Sequence, residues 1–119
     1  MAMMTLRSAQ MSALEQALQD EFLVGTCQYV RREMPKKAAT LPPDELQTLV
    51  AAALECARSL GCSHSWDLWR FALFSVAFGK DFFRTESWAS PPFADESLTP
   101  TARLDKAEFY WRNYLAKHF

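Results

Sequence analysis

The sequence predicts an all-α protein, a compact bundle of about four main helices with a Pro- and aromatic-rich loop before the last one. Three observations carry that expectation. Apolar residues recur at steps of three to five over long stretches; of only three glycines, Gly25, Gly61 and Gly79, two fall where such a pattern stops; and no stretch shows the strict alternation of a strand. A chain of 119 residues, 50% of them hydrophobic by type, can bury roughly two thirds of its unfolded surface. It can therefore fold as one domain, 1–119, without disulfides or metal.

Residues 1–7 are expected to be a mobile start. The first helix then opens at Ser8 as N-cap, with Met11, Leu14, Leu18, Phe22, Cys27, Val30 and Met34 as its stripe. It ends near Glu33, because Pro35 disfavours helical geometry in the residue before it. Gly25 weakens it by about 1 kcal/mol relative to Ala and leaves room for a bend or for close approach of another helix. Residues 35–43 read as a linker. Asp44 and Glu45 then place negative charge in the first turn of a second helix, where the macrodipole favours it. Leu46, Leu49, Val50, Ala53, Leu54, Ala57 and Leu60 form its stripe, and Gly61 is a natural residue just past its end.

Ser63 or Ser65 can cap a third helix in which only Asp67, Arg70 and Ser75 interrupt a run of apolar residues from Trp66 to Phe78. Such a helix is normally wrapped by its neighbours, which makes it the expected centre of the fold, ending at Gly79. From Lys80 to Leu98 the chain has no clear period and room for one short helical turn. Thr99-Pro100 supplies an N-cap with Pro at the first helical position, and Leu104, Ala107, Trp111, Tyr114 and Leu115 make one face of the last helix.

The function classes narrow quickly. Thirteen Lys+Arg against 14 Asp+Glu, with no basic stripe, argue against capture of nucleic acid or of an anionic membrane. The apolar run 71–78 is too short to span a bilayer. The amino terminus lacks the basic patch and apolar run of a secretory signal, and three scattered cysteines suit reduced thiols, so a cytoplasmic protein is expected. Cys56, Cys62 and His64 are zinc-type ligands, but their spacing does not resemble the close pairs of a knuckle. Ser, Cys, His64 and His118 offer the parts of a nucleophilic site without a Gly-x-Ser-x-Gly elbow. Asp81, Glu86, Asp95 and Glu96 read as solvated or capping acids, and no Gly-rich loop is present to cradle phosphate. The expectation is a protein without catalytic residues, metal or cofactor. Arg31, Arg32, Lys36 and Lys37 complement the dipole at the end of the first helix, and could also meet an acidic partner.

What stands out is the aromatic load, 13% of residues. In the last helix Phe109, Tyr110 and Trp111 point about 100° apart, so either that helix is sandwiched or one aromatic face meets another chain. Exposed Trp and Tyr are favoured interface anchors. The candidate partner-binding surface is the 80–98 loop with the last helix: Phe82, Phe83, Trp88, Phe93, Tyr110 and Tyr114. Packing of the same rings within the chain is the competing reading.

Four segments carry a family likeness: Leu6-Arg7-Ser8-Ala9-Gln10-Met11, Phe78-Gly79-Lys80-Asp81-Phe82, Trp88-Ala89, and Leu98-Thr99-Pro100-Thr101-Ala102-Arg103-Leu104-Asp105. Together they resemble small helical accessory proteins of bacterial type VI secretion effector clusters, encoded near PAAR spike proteins. Met34-Pro35 and the Gly61, Ser63, Asp67 pattern agree in character, whereas Lys80 stands where the family often has Pro and the third helix is richer in Trp and Phe. The resemblance implies a co-adaptor or co-chaperone that binds the effector-loading adaptor and modulates effector delivery to the spike. The alternative is an immunity protein that binds and occludes a neighbouring toxic effector.

Overall fold

The computed structural model describes the backbone of residues 2–118 and the side chains of residues 9–116. Among the described residues the chain forms seven helices and no strand: α1 (Ala2–Glu33), α2 (Pro35–Ala39), α3 (Pro43–Ser59), α4 (Ser65–Phe78), α5 (Phe82–Thr85), α6 (Ser90–Ala94) and α7 (Pro100–His118). α1, α3, α4 and α7 are the four main helices that the periodicity predicts. The short ones correct the sequence reading. The 35–43 linker contains the single turn of α2, and the 80–98 loop contains two turns, α5 and α6, where one was expected. Pro35 and Pro91 sit in the first turns of α2 and α6, where a missing N–H costs nothing.

α3 packs most extensively on α4, burying Leu46, Val50, Ala53, Leu54 and Ala57. Its end is a Schellman motif: the Gly61 N–H donates to the Arg58 carbonyl and the Cys62 N–H to the Ala57 carbonyl, both at 3.0 Å, with Gly61 at φ 94°. A Cβ at Gly61 would also lie 3.1 Å from Cγ of Pro100, so this turn needs glycine for two reasons. At the start of α7, Thr99 Oγ1 accepts from the Ala102 N–H at 3.2 Å, the expected cap. α4 is different. Neither Ser63 nor Ser65 caps it; His64 holds the N-cap position without a side-chain hydrogen bond.

α1 begins at Ala2, ahead of the predicted Ser8 start, whose side chain lies outside the described ones. Its second half packs on α2, α3 and α4, while every side chain from Ala9 to Glu21 is exposed. This projection stretches the molecule to 62 × 38 × 18 Å and gives a radius of gyration of 16.7 Å. A compact chain of this length would have about 13.5 Å. No helix among the described residues is long and apolar enough to cross a membrane.

Candidate interaction groove

α4 is the central helix, as its composition predicts, but it inverts the expected distribution of polar groups. Asp67, Arg70 and Ser75 are buried, whereas Trp66 is 53% and Phe78 38% exposed. The two charged groups are tolerated inside because they pair with each other and with α7. Arg70 Nη2 donates to Asp67 Oδ1 at 2.6 Å and Nη1 to Asp105 Oδ1 at 2.7 Å, with Glu108 Oε2 at 3.7 Å. The Thr101 hydroxyl donates to the other Asp67 oxygen. The buried Arg70–Asp67 pair thus ties α4 to three positions on α7, Arg70 reaching Asp105 and Glu108 and Asp67 accepting from Thr101. Burial alone would push the Asp67 carboxyl up, but the bonds from Thr101 and Arg70 and the nearby positive charge outweigh it and hold the group below the usual aspartate range. Burial likewise works against the Arg70 charge, and its bonds to Asp67 and Asp105 more than compensate.

Beside this network runs an open groove of about 350 Å³. Its floor is the α4 face formed by Trp66, Arg70, Leu73, Phe74, Ala77 and Phe78, residues that recur at steps of three and four. Tyr29, Glu33 and Met34 at the end of α1 form one wall; Glu108 and Trp111 of α7 form the other. Tyr29 stacks on Trp69 at 4.5 Å and meets Trp66 edge-on at 6.4 Å, and Arg70 lies 5.6 Å from the Trp66 ring centre. The phenol of Tyr29 is pushed up, first by burial and then by the carboxylates of Glu33 and Glu108. Both acids therefore act on one end of the groove from opposite walls. Two buried donors on groove residues, Arg70 Nε and Trp111 Nε1, have no acceptor within the described chain.

The sequence-predicted surface is dispersed. Phe82, Phe83 and Trp88 are buried and Phe93 is half-buried, so these four rings are core rather than contact surface. Phe82 packs 4.9 Å from Phe71, Trp88 5.0 Å from Phe74, and Phe93 5.7 Å from Phe83, a cluster that closes the lower end of α4. The turns of α5 and α6 fold these rings inward, which periodicity could not show. Tyr110 and Tyr114 are exposed on α7 together with Phe109, away from the buried four. The residues that sequence reasoning missed are Trp66, Phe78, Tyr29, Glu33 and Glu108. The spacing of eight and then four along Trp66, Phe74 and Phe78, which puts the three rings on one helix face, was the available signal, hidden by the assumption that an apolar helix is covered throughout.

Among the described residues the other candidate chemistry finds no assembled site; the side chain of His118 lies outside them. Cys62 is buried, Cys56 half-buried and His64 exposed, and among the described residues no group of three His, Cys, Asp or Glu could hold a metal ion. Burial raises all three thiols, Cys62 to about 11 with Asp67 adding to the effect, which disfavours the nucleophilic thiolate form. Asp95 is engaged locally, accepting from the N–H and hydroxyl of Ser97 in a turn. No protein-family model, curated protein or solved structure matches this chain significantly, so the type VI likeness stands on its quoted residues alone.

Proposed function

We propose that this chain is a protein-binding accessory factor rather than an enzyme, and that the α1–α4–α7 groove receives an apolar segment of its partner. One observation carries the reading: two large rings, Trp66 and Phe78, stand exposed at the ends of an open groove lined chiefly by aromatic and apolar side chains. Exposed Trp beside a preformed apolar cleft is the composition of an interface hot spot. A basic residue of the partner would meet the Glu33 and Glu108 carboxylates on the two walls.

The type VI resemblance supports the finer form of this reading: a cytoplasmic co-adaptor or co-chaperone that binds an effector-loading adaptor and modulates delivery to the spike. A second reading, an immunity protein occluding a toxic effector, is favoured by the Glu33 and Glu108 carboxylates, which suit a basic surface. Capture assays separate them. The adaptor co-purifies if the first reading holds, whereas co-expression rescues cells from the neighbouring toxin if the second does. In either case Trp66→Ala with Phe78→Ala should weaken capture at least roughly tenfold, the loss of one or two anchors, with unchanged helicity. Loss of capture in a Tyr110→Ala, Tyr114→Ala variant, but not in the groove variant, would move the interface to the outer face of α7.

A further inference from the structure

The groove between α1, α4 and α7 has two unlike ends. Along its α4 floor the chain runs from Trp66 to Phe78, about 18 Å of helix axis. Every charged lining residue belongs to the Trp66 end. Tyr29 meets the Trp66 ring there, Glu33 and Glu108 both act on the Tyr29 phenol, and Glu108 lies 3.7 Å from Arg70. At the other end Trp111 stands 5.7 Å from Phe74 and 6.3 Å from Phe78, Ala77 completes the lining, and no charged side chain takes part.

The acids at the Trp66 end outnumber the bases that reach them. Arg70 is already bonded to Asp67 and Asp105 at 2.6 and 2.7 Å, two carboxylates for one guanidinium. Arg32 and Arg112 lie 3.7 and 3.4 Å from Glu33 and Glu108, but both arginine side chains are more than two thirds exposed, and pairs of that kind hold weakly against water. A cation brought into the groove can displace them. Arg31, Lys36 and Lys37 are exposed and not among the lining residues. At the Tyr29 phenol Glu33 counts for more than Arg32, and Glu108 adds to it. The rings favour a cation too: Arg70 already lies 5.6 Å from the Trp66 centre, and that ring is still more than half exposed.

Floor and walls are all helical, so the groove offers no strand edge to an extended segment. Such a segment would leave its own N–H and C=O groups without partners against the rings, whereas a helix satisfies them internally. From Arg70 to Phe78 is about 12 Å of axis, and two turns of a second helix cover nearly the same length. Building on the reading of the groove as the partner site, we propose that its occupant is an amphipathic helix of the partner. Its basic side chain lies between Glu33 and Glu108, and a bulky apolar side chain two turns away packs against Phe74, Phe78 and Trp111.

A displayed library of helical peptides, varied along one face and selected on the native chain, tests this without knowledge of the partner. Recovered peptides should carry a base two turns from a bulky apolar residue. In fluorescence anisotropy the tightest of them should lose roughly fivefold or more in affinity when its base becomes Glu, and likewise on Glu33→Gln with Glu108→Gln, the loss of one partly buried charge contact. Arg32→Gln with Arg112→Gln should tighten binding, because the two carboxylates are then left to the peptide; a purely structural role for the acids would not produce that gain. Peptides that need Trp66 and Phe78 but are indifferent to their own base and to the carboxylates overturn this inference and leave the groove as the partner site. Peptides unaffected by Trp66→Ala with Phe78→Ala overturn both. A selection that yields no peptide specific for the native chain, or only peptides without a base, overturns the inference as well.

Discussion

Between Lys80 and Leu98 the rings keep no helical period, yet Phe82, Phe83 and Trp88 are buried; in the first half of α1, Met11, Leu14 and Leu18 keep a regular period and lie open. The difference is what stands opposite. Short turns let the 80–98 segment wrap the end of α4, where Phe71 and Phe74 offer rings to pack on. A continuous helix cannot double back, so once α1 passes the end of α3 its stripe has no partner in its own chain. A regular pattern reports that a surface is suited to burial, and the geometry of neighbours decides whether burial occurs.

Truncation at the two regions should give the sharpest contrast. Phe82→Ala empties a site with no exposure and should destabilise the chain by about 3–5 kcal/mol. Leu14→Ala, measured by denaturant unfolding, should fall within about 0.5 kcal/mol of native. Equal losses would mean that α1 packs on the body after all.

The buried ion network should show a smaller asymmetry. Arg70→Met strands Asp67 among apolar groups and should cost about 3–5 kcal/mol, whereas Asp105→Asn, at an exposed position, should cost at most about 1 kcal/mol. Comparable penalties would show that Asp105, not Asp67, is the partner that matters.

The smallest effect is a pH dependence. Because the folded-state Asp67 carboxyl titrates below its ordinary value of 3.8, its contribution is fully present above that pH and is lost as pH falls through the lower folded value. Unfolding free energy should therefore decline below about pH 4, and Asp67→Asn, less stable at neutrality, should decline less steeply there. Asp95, held low chiefly by Ser97, shifts in the same direction and can be separated by Ser97→Ala.

Much of the fold was legible in the sequence, because local rules dominate at helix ends. The Gly61 turn and the Thr99-Pro100 start act within one turn of backbone and are found where composition places them. The cap of α4 was misread because Ser63 and Ser65 flank the position that His64 occupies. The candidate groove was hardly legible. Trp66 and Phe78 share a helix with Phe71 and Phe74, and hydropathy cannot distinguish rings that meet a neighbour from those that do not.

By itself the sequence determined four long helices, their turns, a nearly neutral surface and an excess of rings, since each depends on residue type and on spacing within a few turns. Only the tertiary structure decided that α4 keeps its ions inside and two of its rings outside, that the rings of the 80–98 segment are core, and that half of α1 stands unaccompanied. The first depends on residues 34 and 35 positions apart meeting across helices, Thr101 on Asp67 and Asp105 on Arg70, and the second on Phe82 and Trp88 meeting Phe71 and Phe74. No pattern confined to one helix encodes such meetings.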